Sequence, residues 1–424
     1  MKKSRTLRPA PAVESPSTRR LPLVELLVDT EAELFELAVR SGLQVLEAML
    51  EEDRTALCGP RYAHQADRTA SRAGTVASEV VLGGRQVGVR RPRVRANGQE
   101  VPLPTFQAMA QTDPLQRRTV EQMLLGVSTR GYARSLEPLP AGVASRGVSK
   151  SAVSRRFVAK TAAQLAAWQA TPLDSLELVG LVLDGVHIGD HCLVVALGIS
   201  ADGTKHALGL WEGSTENAAL CQSLLANLHD RGLRTDRSLL VILDGSKALR
   251  KAVATAFGAA AVVQRCQVHK LRNILDHLPE RQRPWVQAIV RRAYHSADVA
   301  TAIRLLQNLA RRLEREHPGA AASVREGLDE TLTILSFDLS TRLQRSLATT
   351  NAAESLISRT RHVKRQVTRW RGGQMMLRWV AAGVLEAAKG FRRLKGHADM
   401  PKLVAALRAR DQELGLGEAV EHVA

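Results

Sequence analysis

LELVGLVLDGV (residues 176–186) and SLLVILDGSKALR (residues 238–250) are each an apolar run that stops at Asp-Gly. Short runs rich in Val, Ile and Leu, ended by a turn dipeptide, predict strands buried on both faces. Asp184 and Asp244 then stand at the C-terminal ends of two core strands, a usual place for ligands in open α/β sheets. Two acids there point to a divalent-cation site.

Outward from these runs, residues 176–265 read as strand 178–183, strand 191–199, strand 205–211, helix 215–230, strand 238–243, helix 246–257 and strand 260–264. Asp202-Gly203 supplies the hairpin turn between the second and third strands. Three hairpin-connected strands followed by helix–strand–helix–strand predict an RNase H-like α/β domain, a mixed sheet with helices on its faces. Residues 176–266 form its first part. Residues 267–345 read as an Arg- and Ala-rich helical insertion broken at Pro279, Pro284 and Pro318-Gly319, residues 346–400 as a further core helix with C-terminal helices, and 401–424 as a tail.

The 424 residues carry 60 Lys and Arg against 42 Asp and Glu, a net charge of +18. Such an excess favours a polyanionic partner, nucleic acid first, although a merely basic soluble protein has the same composition. Aromatics at 3% argue against platforms that stack single-stranded bases. The four cysteines are scattered, as expected for a reduced cytosolic protein. The chain has no apolar run long enough to predict a membrane span, and the basic, Pro- and Ser-rich residues 1–21 lack the apolar core of a signal peptide and read as a flexible arm.

The N-terminal half reads as a mainly helical DNA-binding region containing a basic β-hairpin. Residues 22–57 have helical apolar spacing and predict two amphipathic helices broken near Ser41-Gly42, for core packing or self-association. Residues 58–114 predict the hairpin around Gly83-Gly84, decorated by Arg85, Arg90, Arg91, Arg93 and Arg95. That face suits either a DNA backbone or solvent. Residues 115–175 have a helix-turn-helix rhythm, with one helix starting in GVSTRGYARSLE (126–137) and another in SKSAVSRRFVAKTAAQL (149–165). Ser149 is the expected N-cap, and Ser151, Ser154, Arg155 and Arg156 near the helix start can reach bases and phosphates. A plain linker bundle fits the same pattern.

A site that holds two metal ions about 3.5–4 Å apart needs a third carboxylate. The candidate is Glu354, in SLATTNAAESLISRTRHVKRQVTRWR (346–371). Asn351-x-x-Glu354 also reads as a capping box, in which the Glu only satisfies a backbone N–H. Arg359, Arg361, Lys364, Arg365, Arg369 and Arg371 follow with no acid among them, which favours a phosphate-facing helix. The nearby acids Asp190, Asp202 and Asp236 are explained by turn chemistry. Directly after the last strand, QRCQVHKLRN (264–273) holds Cys266 and His269, only half of a zinc site. This pair is expected beside the active site, with His269 ordering a ligand or phosphate, amid positive charge from Arg265, Lys270 and Arg272.

LDGVHIG, VALGISADGTKHALGLWEGSTEN, LHDRGL, VILDGSKALRKAVATAF, QRCQVHKLRNIL and TTNAAES occur in that order over about residues 180–360. With GVSTRGYARSLE and VSKSAVSR they resemble the Mutator-type transposases of bacterial insertion sequences. The resemblance implies an RNase H-like catalytic domain with Asp184, Asp244 and Glu354 as catalytic acids and metal ligands. It makes Cys266 and His269 the family's C-x-x-H pair and the helices between Asp244 and Glu354 its typical insertion. It implies two Mg2+ ions, for which Mn2+ can substitute, since magnesium takes hard oxygen ligands and keeps positions open for phosphates.

The implied activity is DNA strand cleavage followed by strand transfer, on terminal inverted repeats and target DNA. The implied assembly is a homodimer or higher oligomer, working in the bacterial cytoplasm at the nucleoid. DNA contacts are expected from Arg85, Arg90, Arg91, Arg93, Arg155, Arg156, Arg359, Arg361, Lys364 and Arg365. Val186, His187 and Ile188 depart from the aromatic and basic residues the family often has near its first acid. Two rivals remain. One is a DNA-binding regulator derived from a transposase, without catalysis. The other is a phosphohydrolase with Asp184 as nucleophile, which lacks the expected Asp-x-Asp because position 186 is Val.

Overall fold

The computed structural model describes residues 31–63, 69–82, 85–111, 116–136, 139, 142–147, 149–188, 191–213, 217–364, 367 and 370–416. These fall into two compact units, Met1–Pro114 with Leu136–Gly147 and Leu115–Ser135 with Val148–Ala424.

The first unit contains α1 (Glu31–Cys58), β1 (Ser71–Leu82), β2 (Arg85–Ala96), β3 (Gln99–Val101), α2 (Pro104–Gln111) and β4 (Ser145–Gly147). β2 pairs antiparallel with β1, β3 and β4. Leu82 pairs with Arg85, and the expected Gly83-Gly84 turn lies outside the described residues. α1 corrects the expected pair of helices, since it runs unbroken through Ser41-Gly42. A single interior glycine costs a helix only about 1 kcal/mol. Leu43, Leu46 and Leu50 continue the apolar stripe and pack with Val80, Val89, Val94 and Leu103, which offsets that cost.

The second unit opens with α3 (Gln116–Leu124) and α4 (Lys150–Gln169). The helix start expected within residues 126–137 is instead a turn followed by one 3-10 turn, Tyr132–Ser135. Local bonds account for the difference: Gly131 N–H donates to Ser128 Oγ (3.1 Å) and Ser135 Oγ donates to Tyr132 O (2.7 Å), an alternative to helical pairing. α4 starts as expected, with Ser149 Oγ accepting from Ala152 N. It buries Val153, Phe157, Thr161, Leu165 and Trp168 along one face.

Next come β5 (Leu178–Ile188), β6 (His191–Ser200), β7 (Lys205–Gly213), α5 (Ala218–Asp230), β8 (Leu239–Leu243), α6 (Lys247–Phe257) and β9 (Ala261–Arg265). They form a mixed sheet in the order β7-β6-β5-β8-β9. The first three strands are antiparallel, while β5, β8 and β9 run parallel. This is the mixed α/β sheet with helices that residues 176–265 predict.

Side-chain alternation divides the sheet into two faces. Leu181, Leu183, Leu239, Val241 and Leu243 pack with α5 and α6. Val179, Val182, Leu240 and Ile242 face a second layer of helices. That layer follows α7 (Gln267–Asp276), α8 (Arg283–Tyr294), α9 (Val299–Leu313), α10 (Pro318–Arg325) and α11 (Leu328–Leu332), which have their own core. It consists chiefly of α4 with α12 (Thr341–Leu347), α13 (Asn351–Lys364), α14 (Gly373–Ala388) and α15 (Met400–Leu414). α15 corrects the expected tail: Leu403 and Leu407 are buried in the core, and residues 417–424 lie outside the described residues.

Candidate active site

The site is built where β8 and β9 end beside β5; Asp184 does not end its strand as expected, because β5 stays paired with β6 through Gly185 to Ile188. Leu183 of β5 pairs with Leu243 of β8, and Leu243 with Arg265 of β9. Asp184, Asp244 and Cys266 are the next residues on each strand. Strand parity turns both carboxylates to the Val182 and Ile242 face, toward α13, because alternate residues share a face. Ser246 N–H donates to Asp244 Oδ1 (2.9 Å), and Cys266 N–H donates to Leu243 O (2.7 Å). Cys266 starts α7, so His269 stands one turn into that helix.

α13 brings the third acid. Glu354 N–H donates to Thr350 O (3.0 Å), so the helix is capped by Thr350 and not by the expected Asn351. Glu354 is therefore one position beyond the capping-box site. Its Oε1 instead lies 3.3 Å from His269 Nε2. Thr350 is wholly buried. Its N–H and hydroxyl donate to Cys266 Sγ (3.4 and 3.5 Å), and the hydroxyl is 3.5 Å from His269 Nδ1. Gln267 N–H donates to Ala348 O (2.9 Å), closing the strand-to-α13 junction.

Burial pushes the Asp184 carboxyl up to about 7; the charge of His269 opposes this, and Asp244 and Glu354 reinforce it. Asp244 is raised as well, again chiefly by burial. Burial works against ionisation of the Cys266 thiol, but its hydrogen bonds with His269 and Thr350 outweigh that and lower it. The same Cys266 bond, with the charges of Asp184 and Glu354, lifts His269 to about 9 despite its burial.

The donors suit a hard cation. Asp184 Oδ1 is buried with no hydrogen-bond partner among the described residues, which is costly for a carboxylate oxygen that nothing else satisfies. Among the described residues no three His, Cys, Asp or Glu side chains converge as one ready-made ligand set. Magnesium does not require one, because it commonly takes one or two carboxylates and keeps several waters. The thiol–imidazole pair is tied to Thr350 and Glu354.

The competing acids behave as turn residues. Asp202 accepts from Ser200 Oγ, Thr204 N and Thr204 Oγ1. Asp236 pairs with Arg234 (2.8 Å), and Asp190 lies outside the described residues.

The expected DNA contacts are divided between the two units. In the first unit, Arg91 and Arg93 both pair with Glu100, at 2.7 and 3.0 Å, and the Arg91 guanidinium also sits over the Phe106 ring. Arg90 is exposed and bonds Thr75 Oγ1, and Arg85 is half-buried. In the second unit, Arg155 is exposed and Arg156 half-buried on α4. Arg359, Arg361 and Lys364 belong to α13, but their side chains, like the whole of Arg365 and Arg369, lie outside the described residues. Arg265 and Lys270 are not loose positive charge: Arg265 pairs with Glu330 (2.7 Å) and Lys270 with Glu326 (3.6 Å).

Sequence reasoning missed Thr350, which touches both members of the C-x-x-H pair. The signal was the doubled threonine of TTNAAES just before a helix start, a usual N-cap residue type.

Residues 25–393 match the family described as Transposase, Mutator family. The chain is 29% identical over 292 residues to the transposase for insertion sequence element IS6120 of Mycolicibacterium smegmatis, covering 68% of this chain and 87% of that one. It is 27% identical over 331 residues to the transposase for insertion sequence element IS1081 of Mycobacterium tuberculosis, covering 73% and 77%. With the transposase for insertion sequence element IST2 of Acidithiobacillus ferrooxidans it shares 32% identity over 171 residues, 40% of this chain and 56% of that relative. This chain belongs to the Mutator family of transposases.

Proposed function

We propose that the chain is the transposase of a bacterial insertion sequence, using Asp184, Asp244 and Glu354 in an RNase H-like domain to cleave DNA strands and transfer them. The observation that carries this reading is Asp184: a buried carboxylate with an oxygen unpartnered among the described residues, one step beyond the register pair that sets Asp244 beside it. The sheet order and the parallel β5–β8–β9 edge support the RNase H-like assignment.

The three acids would hold two Mg2+ ions, with Mn2+ able to substitute. Bound there, the ions supply positive charge to the attacking and leaving oxygens of an in-line displacement. His269, protonated at neutral pH, donates Nε2–H toward Glu354 and holds that carboxylate in one orientation. Thr350 in turn braces His269 and Cys266. In the first step, water displaces the 3′-oxygen from a phosphorus at the element's end, leaving a 3′-hydroxyl and a 5′-phosphate. In the second, that hydroxyl attacks another phosphodiester, so one P–O bond forms as another breaks.

The N-terminal half, with its basic strands and the α4 region, recognises the terminal inverted repeats. A homodimer or higher oligomer joins two ends, and the work is done in the bacterial cytoplasm at the nucleoid. No described helix is long and apolar enough to cross a membrane.

A donor plasmid carrying the gene with its native flanking DNA tests the reading. Wild type with Mg2+ should yield joined or excised ends, and Asp244→Asn should yield none. Products from both proteins would remove Asp244 from the chemistry. A second reading, a DNA-binding derivative without catalysis, draws on the lack of a converged ligand trio among the described residues. It is favoured if neither protein yields product while both still bind DNA.

A further inference from the structure

We propose that the cavity between α12, the first turns of α13 and the loop at residues 390–397 holds the phosphodiester backbone of the DNA that flanks the scissile bond. This rests on the transposase reading and assigns a substrate-holding surface to residues outside the acids. The cavity measures about 1160 Å3 and is lined by Lys205, Arg342, Arg345, Arg392, Arg393 and Lys395, with no Asp or Glu among the described residues of its wall. Six cations around one space repel each other, an arrangement that an anion relieves. Arg342, Arg345, Arg392 and Lys395 are exposed and available to one. Asp202 reaches only Arg393, at 3.1 Å.

The cavity runs along the first turns of α13, the helix that carries Glu354, and its described lining includes none of the three acids. Thr349, Asn351 and Ser355 line it, and these residues flank Thr350 and Glu354 in the chain. A strand lying in the cavity therefore runs along the helix that carries Glu354.

The wall is also fixed in shape. Ser346 Oγ donates to Lys395 O (3.0 Å), and Leu394 N–H donates to Gly203 O (2.9 Å). Gly396 has φ +82°, and a Cβ there would lie 2.6 Å from Leu343 N, so the loop backbone is pressed against α12. Cations carried on a fixed wall lose less freedom when they bind.

The size and chemistry select the occupant. The space exceeds that of most small-ligand pockets, about 300–1,000 Å3. Among the described lining residues the rings are those of Phe391, which already lies under Lys205 Nζ at 5.2 Å, and His397. Base stacking is thus not its use; repeated phosphate contact is.

The test uses the full chain with a fluorescent duplex spanning one element end and its flank, and an unrelated duplex of equal length. Arg392→Ala/Lys395→Ala and Arg342→Ala/Arg345→Ala should each weaken binding to both duplexes by about tenfold or more, because backbone contacts carry no sequence information. Each double variant should flatten the dependence of log K on log salt by about 1.8, at about 0.9 per lost phosphate contact. Strand cleavage should fall in parallel. Arg392→Lys/Lys395→Arg, which keeps the charge, should bind like wild type. Asp184→Asn, with the cavity intact, should bind but not cleave.

Alanine variants with unchanged melting temperature that keep wild-type affinity, salt slope and cleavage would overturn the assignment while leaving the transposase reading standing. Selective rescue of binding by an acidic peptide or a free nucleotide, in place of DNA, would overturn it also. A wild-type chain that neither binds nor cleaves either duplex refutes the transposase reading itself.

Discussion

Leu183 and Leu243 are direct partners across the parallel pair β5–β8, and this one register decides where two acids meet. A slip by one residue would turn a strand's side chains to the opposite face. Asp184 would then point at α5 and α6, where Leu181 and Leu183 pack, away from Glu354. The position of the acids is therefore a property of the core strands, and the apolar runs before them are as necessary to the site as the carboxylates.

Asp184 should make the metal-free protein's stability depend on pH. Its folded pKa, about 7, lies above the ordinary value of 3.8. A raised value means that its contribution to stability is fully present below about pH 4 and is lost as pH rises through 7. Asp184→Asn removes that loss, so in metal-free buffer it should be more stable than wild type at pH 8 by on the order of 2–4 kcal/mol, with little difference near pH 4. Urea unfolding at both pH values measures this. Equal stabilities at pH 8 would show that burial does not penalise the charge. Adding Mg2+ should raise the wild-type midpoint and leave that of Asp184→Asn nearly unmoved.

Thr350 should matter for geometry more than for fold. Thr350→Val keeps the shape and removes the hydroxyl that bonds Cys266 Sγ and approaches His269. The expected cost in stability is about 1–2 kcal/mol, and strand cleavage should fall further than DNA binding does. Thr350→Ser, which restores the hydroxyl, should recover most of the activity. Loss in Thr350→Ser with activity kept in Thr350→Val would point to packing by the methyl group instead.

The mixed sheet was legible because its strands are buried on both faces, although Asp184-Gly185 does not end β5, which stays paired to Ile188. Six of the seven elements between residues 178 and 265 run within a few residues of their expected bounds, and β5 runs past its expected end at 183 to Ile188. Helix interruptions were harder to read: Gly42 leaves α1 whole, while Ser128, Gly131 and Ser135 turn residues 126–137 away from a helix through bonds that no periodicity records. Glu354 was ambiguous for a related reason. Helix starts are uncertain by a residue or two, and one residue separates a cap from a side chain facing His269. Ion pairs such as Arg93–Glu100 and Arg265–Glu330 join residues from different elements, so the sequence overstates how much positive charge is unspent.

Arg231 should act as a structural clamp. It is buried, with Nε donating to Thr171 O (2.7 Å) and Nη1 to Leu208 O (2.8 Å) and Asn227 Oδ1 (3.2 Å). It thus ties the end of α5 to β7 and to the chain leaving α4. Arg231→Met fills similar space but leaves two carbonyls without these donors, at an expected cost of about 2–4 kcal/mol. Denaturant midpoints of the two proteins check this. A change below about 0.5 kcal/mol, the range of neutral surface substitutions, would mean that water replaces the guanidinium.

Gly396→Ala should damage the basic cavity by displacing its wall. At φ +82° a non-glycine residue is strained, by roughly 1–2 kcal/mol. The new methyl would also stand 2.6 Å from Leu343 N and 3.0 Å from Leu343 Cα, backbone atoms held within α12. Neither can yield as a flexible side-chain tip would, so the loop must lift and the Ser346–Lys395 bond must open. The expected loss is about 2–4 kcal/mol of stability, read from urea midpoints, with weaker duplex binding below the unfolding transition. Gly415→Ala is the control, since it shares a positive φ of +62° and has no atom within 4 Å of its Cβ. It should pay only the backbone strain and bind DNA like wild type. If both variants lose stability equally and neither loses affinity, the tight seat of Gly396 against α12 has no part in shaping the cavity.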